Sequence, residues 1–218
     1  RSLIDTLIYG GIDSLAPELR ATLYGHALIA QGDPYEADVV SGEIVRVISF
    51  LQNSGYPAVR FDYETGGAFR YTSTNNFEIR LFFETGRLYR LGEIAVKVDP
   101  PRDDITDNLA LRHLDFKTGD IYSKDLKVTS ERNLNRLDLF EAARVDQEAA
   151  PESLAGQSIP MRVLVKPQPR NEFAPEVIAS NENGALNLGL GVAYTNRNFF
   201  GDGRTFSARL QGSSQSII

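Results

Sequence analysis

Gly32-Asp33-Pro34-Tyr35 and Gly119-Asp120-Ile121-Tyr122 stand 87 residues apart, and each precedes a helical pattern. His26 and His113, the two histidines of the chain, keep the same offset, each six residues before its glycine. Self-similarity at a fixed offset marks one structural unit used twice.

Working outward from the first copy, Ser2 to Tyr9 is ambiguous between strand and short helix, and reads as a strand or strand-like arm. Leu15 to Ile29 predicts a helix with Pro17 in its first turn. A second helix follows from about Glu36, with Val40, Ile44, Val47, Ile48 and Leu51 on one face and Gly55 closing it. Ala58 to Tyr63 and Asn76 to Glu84 alternate as the two strands of a long hairpin. Gly66-Gly67 and Thr72 to Asn76 read as loop between them.

The second copy predicts a strand at Tyr89 to Val98, a helix at Asp104 to His113 on an aspartate cap, and a helix at Ser123 to Leu137. Phe140 to Asp146 and Ile159 to Val165 supply its closing strand pair. Each unit thus reads strand, helix, helix, strand, strand. Helices on one face of a short sheet make a compact α+β module whose sheet keeps an edge open to another extended chain.

Beyond Pro167 and Pro169 the texture changes. Leu186, Leu188, Leu190, Val192 and Tyr194 alternate with Asn187, Gly189, Gly191 and Ala193. Phe206, Ala208 and Leu210 alternate with Ser207, Arg209 and Gln211. Phe173 to Ser180 is a third strand, joined to the next through Asn183-Gly184, a strong hairpin signal. The pattern fits a lipid-facing barrel strand and equally a soluble hairpin with one face on a core.

Composition narrows the classes. The chain has 218 residues, 42% hydrophobic and 24% charged, enough to bury a core in one or two domains. Its 23 basic and 29 acidic residues give a net charge of −6, so no basic field concentrates nucleic acid. Cysteine is absent, which removes thiolate chemistry and disulfides and suits an oxidising compartment. No run of about 18 apolar residues predicts a transmembrane helix. Arg1 opens without a signal-peptide pattern, so any secretion signal is expected to have been removed.

Catalytic motifs do not emerge. Gly189-Leu190-Gly191 lacks the rest of a dinucleotide fingerprint. The histidines lack metal-ligand spacing, and their equivalent positions predict a shared packing role. Asp103, Asp104 and Asp107 sit at a helix start, where carboxylates favour the macrodipole. The expectation is a protein that is not an enzyme and holds no cofactor or metal.

A resemblance adds to this reading. Asn196-Arg197-Asn198-Phe199-Phe200-Gly201-Asp202-Gly203-Arg204 resembles the Asn, Phe-Gly-x-Gly turn that opens the barrel of outer-membrane assembly proteins of the BamA and TamA type. Tyr89 to Ile94, Gly119 to Tyr122, and Leu134, Leu137 and Phe140 resemble the motif run of their periplasmic POTRA modules. The first unit matches through Gly32 to Tyr35 and Gly55-Tyr56. Two departures stand beside these matches: Val98-Asp99-Pro100-Pro101 replaces the usual Val-x-Gly-Asn, and the module ends in Lys166-Pro167-Gln168-Pro169-Arg170.

The resemblance implies an α+β fold with tandem POTRA modules at residues 1–87 and 88–168, then the start of a transmembrane β-barrel at 169–218. Residues 173–218 number 46, enough for three or four strands, whereas a closed barrel needs at least about eight. The implied function is assembly and insertion of β-barrel proteins into the outer membrane, with residues 1–168 in the periplasm. Implied partners are unfolded outer-membrane clients, accessory lipoproteins and outer-membrane lipid. Candidate edge residues for strand addition are Ala58, Val59, Phe61, Tyr63, Ala142, Arg144 and Val145. The barrel-entry motif is Asn196, Asn198, Phe200, Gly201 and Gly203. The alternatives are a two-partner secretion transporter and a periplasmic scaffold for protein partners.

Overall fold

The computed structural model describes residues 2–71, 76–182 and 185–217. The expected turn at Asn183-Gly184, most of the Thr72 to Asn76 loop and the facing of Leu186 and Asn187 lie outside the described residues or side chains. The chain divides into two compact units, one of residues 1–93, 116–126 and 147–161, the other of 94–115, 127–146 and 162–218.

The first helix pair and its sheet lie wholly in the first unit. Strand β1 (Ile4–Gly10) leads through α1 (Pro17–Gly25) and α2 (Ala37–Gln52) to β2 (Arg60–Phe61), β3 (Gly67–Arg70) and β4 (Phe77–Glu84). β4 is central: β1 runs parallel to it on one side, and β2 and β3 pair antiparallel on the other. Pro17 starts α1, and the apolar stripe of α2 buries Val40, Val47 and Leu51. They meet Ile79 and Leu81 of β4 in a core that removes these side chains almost completely from water.

Three expectations here need correction. α1 stops at Gly25 rather than Ile29, because the N–H of Leu28 turns aside to the Glu43 carboxylate. The strand expected over Ala58 to Tyr63 is confined to Arg60–Phe61. The Asp62 carboxylate accepts the N–H groups of Glu64 and Thr65, bending the chain into a turn. Gly67 is not loop: the chain rejoins β4 there, as β3.

The second helix pair follows β5 (Arg90–Val98) as α3 (Asp107–Leu111) and α4 (Lys124–Asn135), then β6 (Phe140–Gln147) and β7 (Ser158–Pro167). The sheet order is β5-β7-β6, which again puts the last strand in the middle. Asp104 does not cap α3. The helix begins at Asp107 with Thr106 at the cap position, since the Asp104 carboxylate is engaged elsewhere. α4 ends at Asn135, two residues short of the expected Leu137.

The repeat is visible bond by bond. Gly32 and Gly119 both have φ of 92°. The N–H of Gly32 donates to Ile4 O, and that of Gly119 to Leu91 O, each at 2.8 Å. Asp33 accepts the N–H of Ala30 at 2.8 Å, and Asp120 that of Lys117 at 2.9 Å. The turn therefore closes itself and stitches onto the outer side of the first strand in both copies. The histidines diverge. His26 is exposed, while His113 is half-buried and its Nε2 has no hydrogen-bond partner among the described residues, so the shared packing role does not hold. Burial and the neighbouring Arg112 hold the His113 imidazole below its ordinary pKa.

The remaining chain forms a separate antiparallel sheet of β8 (Asn171–Glu182), β9 (Ala185–Arg197) and β10 (Thr205–Ile217), in the order β10-β9-β8. Pairing is unbroken from Asn171↔Asn196 to Glu182↔Ala185 and from Thr205↔Arg197 to Ile217↔Ala185. Among the described residues no helix is long and apolar enough to cross a membrane.

Candidate functional site

The first candidate edge is short. Of its residues, Phe61 alone lies in a strand. Val59 and Phe61 are buried in the core, Ala58 is half-buried, and Tyr63 projects from the Asp62 turn at 81% exposure. Phe61 meets both Tyr63 and Phe83 edge-on, at 4.9 and 5.5 Å between ring centroids. Arg60, exposed on β2, is paired with Glu84 across β2 and β4.

The second candidate edge is long but occupied. Ala142 and Arg144 of β6 are exposed and Val145 is fully buried. The backbone of β6 points alternately toward β7 and outward, and at Ala143 and Val145 the outward groups are bonded by side chains of α4. Asn135 donates from Nδ2 to Ala143 O and accepts Ala143 N–H at Oδ1, both at 2.8 Å. Glu131 Oε2 accepts the N–H of Val145 at 3.0 Å.

The motif at 196–204 is a tight turn between β9 and β10. Asn198, Gly201, Asp202 and Gly203 all have positive φ. Asparagine tolerates that region because its short amide can bond locally. Here Asn198 Oδ1 accepts the N–H of Gly203 at 2.9 Å, closing the turn from inside. Its Nδ2 donates to Asp104 O at 2.6 Å and to Asp104 Oδ2 at 3.2 Å. Asp104 in turn receives a two-pronged contact from Arg102 at 2.9 and 2.6 Å, and Arg102 also donates to Gln168 O. The Arg102 hydrogen bonds hold the Asp104 carboxyl below its ordinary range, against burial and with help from Asn198.

A second set of contacts holds the turn. Arg112 donates twice to Asp202, at the carboxylate and the carbonyl, each at 2.7 Å. Arg197, 8% exposed, reaches Glu172 at 2.7 Å, Pro169 O at 3.2 Å and Asp138 at 3.4 Å. Asn196 is buried and donates to Asn171 Oδ1 at 2.6 Å. Phe200 by contrast is exposed and stacks edge-on with Phe199. The arrangement fixes the base of the β8–β10 sheet to the loop before α3 and to the segment before β6.

The two faces of that sheet differ. Strand alternation and register place Phe173, Val177, Leu188, Leu190, Val192 and Leu210 on one face. Leu190, Leu210 and Val177 are 70%, 75% and 82% exposed. The opposite face carries Glu176 and Arg209, ion-paired at 3.1 Å, and a hydrogen bond between Thr195 and Ser207. Contiguous exposed apolar surface of this kind marks a contact with lipid or another chain.

Sequence reasoning missed two features. Glu43 is fully buried on the apolar stripe of α2, where it accepts Tyr9 OH at 2.7 Å, Leu28 N–H at 3.0 Å and two bonds from Arg46 at 2.7 Å. Burial raises its pKa, but the bonds from Arg46, Tyr9 and Leu28 prevail and hold it below the ordinary value. Burial and Glu43 together push the Tyr9 phenol above its usual range. A carboxylate within the run Val40, Ile44, Val47 is the signal that exposes such a site. The edge bonds of Asn135 and Glu131 carry no sequence signal, since both are ordinary helix-surface residues.

A helix pair packed on a sheet whose last strand is central, followed by a long antiparallel sheet tethered at its turn, is a fold that this chain shares with solved structures of BamA and CdiB. Over 98% of its length the chain matches BamA from Haemophilus ducreyi lacking POTRA domains 1-3, with a TM-score of 0.69 at 17% identity, covering 37% of that chain. It matches POTRA3-5 of Haemophilus influenzae BamA over 75% of its length, with a TM-score of 0.56 at 11% identity, covering 65% of that chain. CdiB from Acinetobacter baumannii matches over 97% of this chain, with a TM-score of 0.51 at 13% identity and 38% of its own length covered. The chain thus spans less than two thirds of each of these proteins. At these identities the likeness is one of fold. No protein-family model and no curated protein matches the sequence.

Proposed function

We propose that this chain belongs to an Omp85-type outer-membrane protein that assembles and inserts β-barrel proteins. In this reading residues 1–87 and 88–168 are two periplasmic POTRA modules, and 169–218 begin the barrel. The observation that carries it is the match to BamA over 98% of the chain, modules and tail together, joined to a tail sheet with one exposed apolar face. The modules receive extended segments of unfolded clients by strand addition, in which main-chain hydrogen bonds give affinity without demanding a sequence. The free energy comes from the client's own burial in lipid, so no nucleotide site or catalytic residue is required. Accessory lipoproteins are further partners in this proposal.

The test places a photo-crosslinker at Arg60, on β2, and presents a urea-unfolded outer-membrane barrel protein to the full chain. Crosslinking that excess unfolded barrel protein suppresses, and folded barrel protein does not, is the expected result. Absence of crosslinking, or equal competition by the folded form, refutes strand capture.

The match to CdiB supports a second reading, export of a polypeptide through the barrel. The higher TM-score to BamA favours insertion, 0.69 against 0.51. A client that ends in the membrane rather than across it separates the two.

A further inference from the structure

Two side chains of α4 sit on the outer edge of β6 where a neighbouring strand would sit. The Asn135 side chain is a primary amide, with the same donor and acceptor as a peptide group. It bonds both the N–H and the C=O of Ala143, as one residue of an added strand does. Two residues on, the next outward N–H, that of Val145, goes to Glu131. The inward groups are accounted for separately: Glu148 N–H donates to Pro160 O, and the C=O of Phe140 accepts from Gln168. Asn135 Nδ2 also donates to the backbone carbonyl of Glu131, one turn earlier in α4, which orients the amide toward the edge.

The first helix pair has nothing equivalent. Positions 87 residues earlier are Ile44 and Ile48, which pack against the core and have no polar group to offer β2. Among the described residues the edge device therefore belongs to the second copy alone. Natural sheets cover exposed edges to prevent unwanted pairing.

We propose that Asn135 and Glu131 form an autoinhibitory latch, a strand mimic in cis that closes the β6 edge. An extended polypeptide segment joins β6 only after displacing them, so strand capture is directed to the β2 and β3 edge of the first copy. The proposal rests on the strand-capture reading above for its function, and on the hydrogen bonds alone for its structure.

The test uses the full chain, whose lack of cysteine makes single-cysteine probes clean. The ligand probe is a synthetic thiol-reactive peptide with the sequence of β9, Ala185–Arg197. In the otherwise wild-type chain it labels Arg60→Cys and spares Arg144→Cys. Adding Glu131→Ala and Asn135→Ala raises labelling at position 144 by about fivefold or more, the change expected for losing hydrogen bonds that guard the edge. A folded double variant whose position 144 stays unlabelled while position 60 reacts overturns the latch.

Amide hydrogen exchange gives an independent reading. Glu131→Ala alone accelerates exchange at Val145 and leaves Ala143 protected, and Asn135→Ala accelerates Ala143, by roughly fivefold each. Unchanged exchange at both amides overturns the latch whatever the peptide does. If the peptide labels neither edge in any variant while the exchange rates rise as stated, strand capture fails and the latch stands as an edge guard only.

Discussion

The two helix pairs agree where they turn and differ where they are buried. Gly32 and Gly119 share one φ, one set of hydrogen bonds and one stitch to the first strand. Inside, the position of Glu43 is taken 87 residues later by Ser130, that of Arg46 by Asn133 and that of Tyr9 by Val96. Both Glu43 and Ser130 are fully buried and both accept the N–H of a residue a few positions beyond the first helix of the pair, Leu28 and Asp115. The task is the same, to satisfy one backbone donor, but the first copy does it with a charge network and the second with a hydroxyl. The lesson is that the backbone path is what repeats, and the side chains that hold it are interchangeable in chemistry.

The largest expected effect is therefore at Glu43. Glu43→Ala leaves Arg46 and Tyr9 desolvated without their partner and destabilises the first copy by about 3–5 kcal/mol. Ser130→Ala costs about 1–2 kcal/mol, the loss of one buried acceptor. Chemical denaturation of the two variants checks this, and equal losses would break the comparison.

Acid extends it. The Glu43 carboxyl is held below its ordinary pKa of 4.5, so it contributes stability that is fully present above that value and is lost as the pH falls through its lower folded value. Denaturation midpoints that stay level down to about pH 5 and then fall, with a shallower fall in Glu43→Gln, are the expected result. Asp104 adds a loss of the same sign in the other compact unit.

The glycines give a matched pair. A Cβ at Gly32 or Gly119 meets no atom within 4 Å, so the cost of Gly32→Ala and Gly119→Ala is backbone strain alone. Each loses about 1–2 kcal/mol, and the two losses agree to within about 0.5 kcal/mol. The smallest effect is at the tail turn. There Asn198→Gly relieves the positive φ but removes the bonds to Asp104 and Gly203, for a net loss of about 1 kcal/mol.

The same contrast explains what the sequence made legible. The Gly-Asp-x-Tyr turns act through local backbone geometry, so their residues announce them, and the strand alternation of the tail is likewise a local pattern. Alternation alone makes the edge of the first sheet too long, because Asp62 bends the chain with a side-chain turn that hydrophobic periodicity does not register. Asp104 reads as a helix cap in the sequence because its partners, Arg102 nearby and Asn198 far along the chain, are fixed by tertiary structure. The partners of Glu43 are hidden from the sequence for the same reason: Tyr9 and Leu28 reach it only after the sheet forms.

The account stands or falls on which way the tail sheet faces. Leu210 and Gln211 are neighbours on β10 and point to opposite faces. Polarity-sensitive fluorophores on Leu210→Cys and Gln211→Cys, read with vesicles of outer-membrane lipids containing brominated acyl chains, compare the two directly. The account predicts a blue shift and quenching at position 210 with neither at 211. Equal, water-like signals at both positions, or lipid contact at 211 instead, would contradict it.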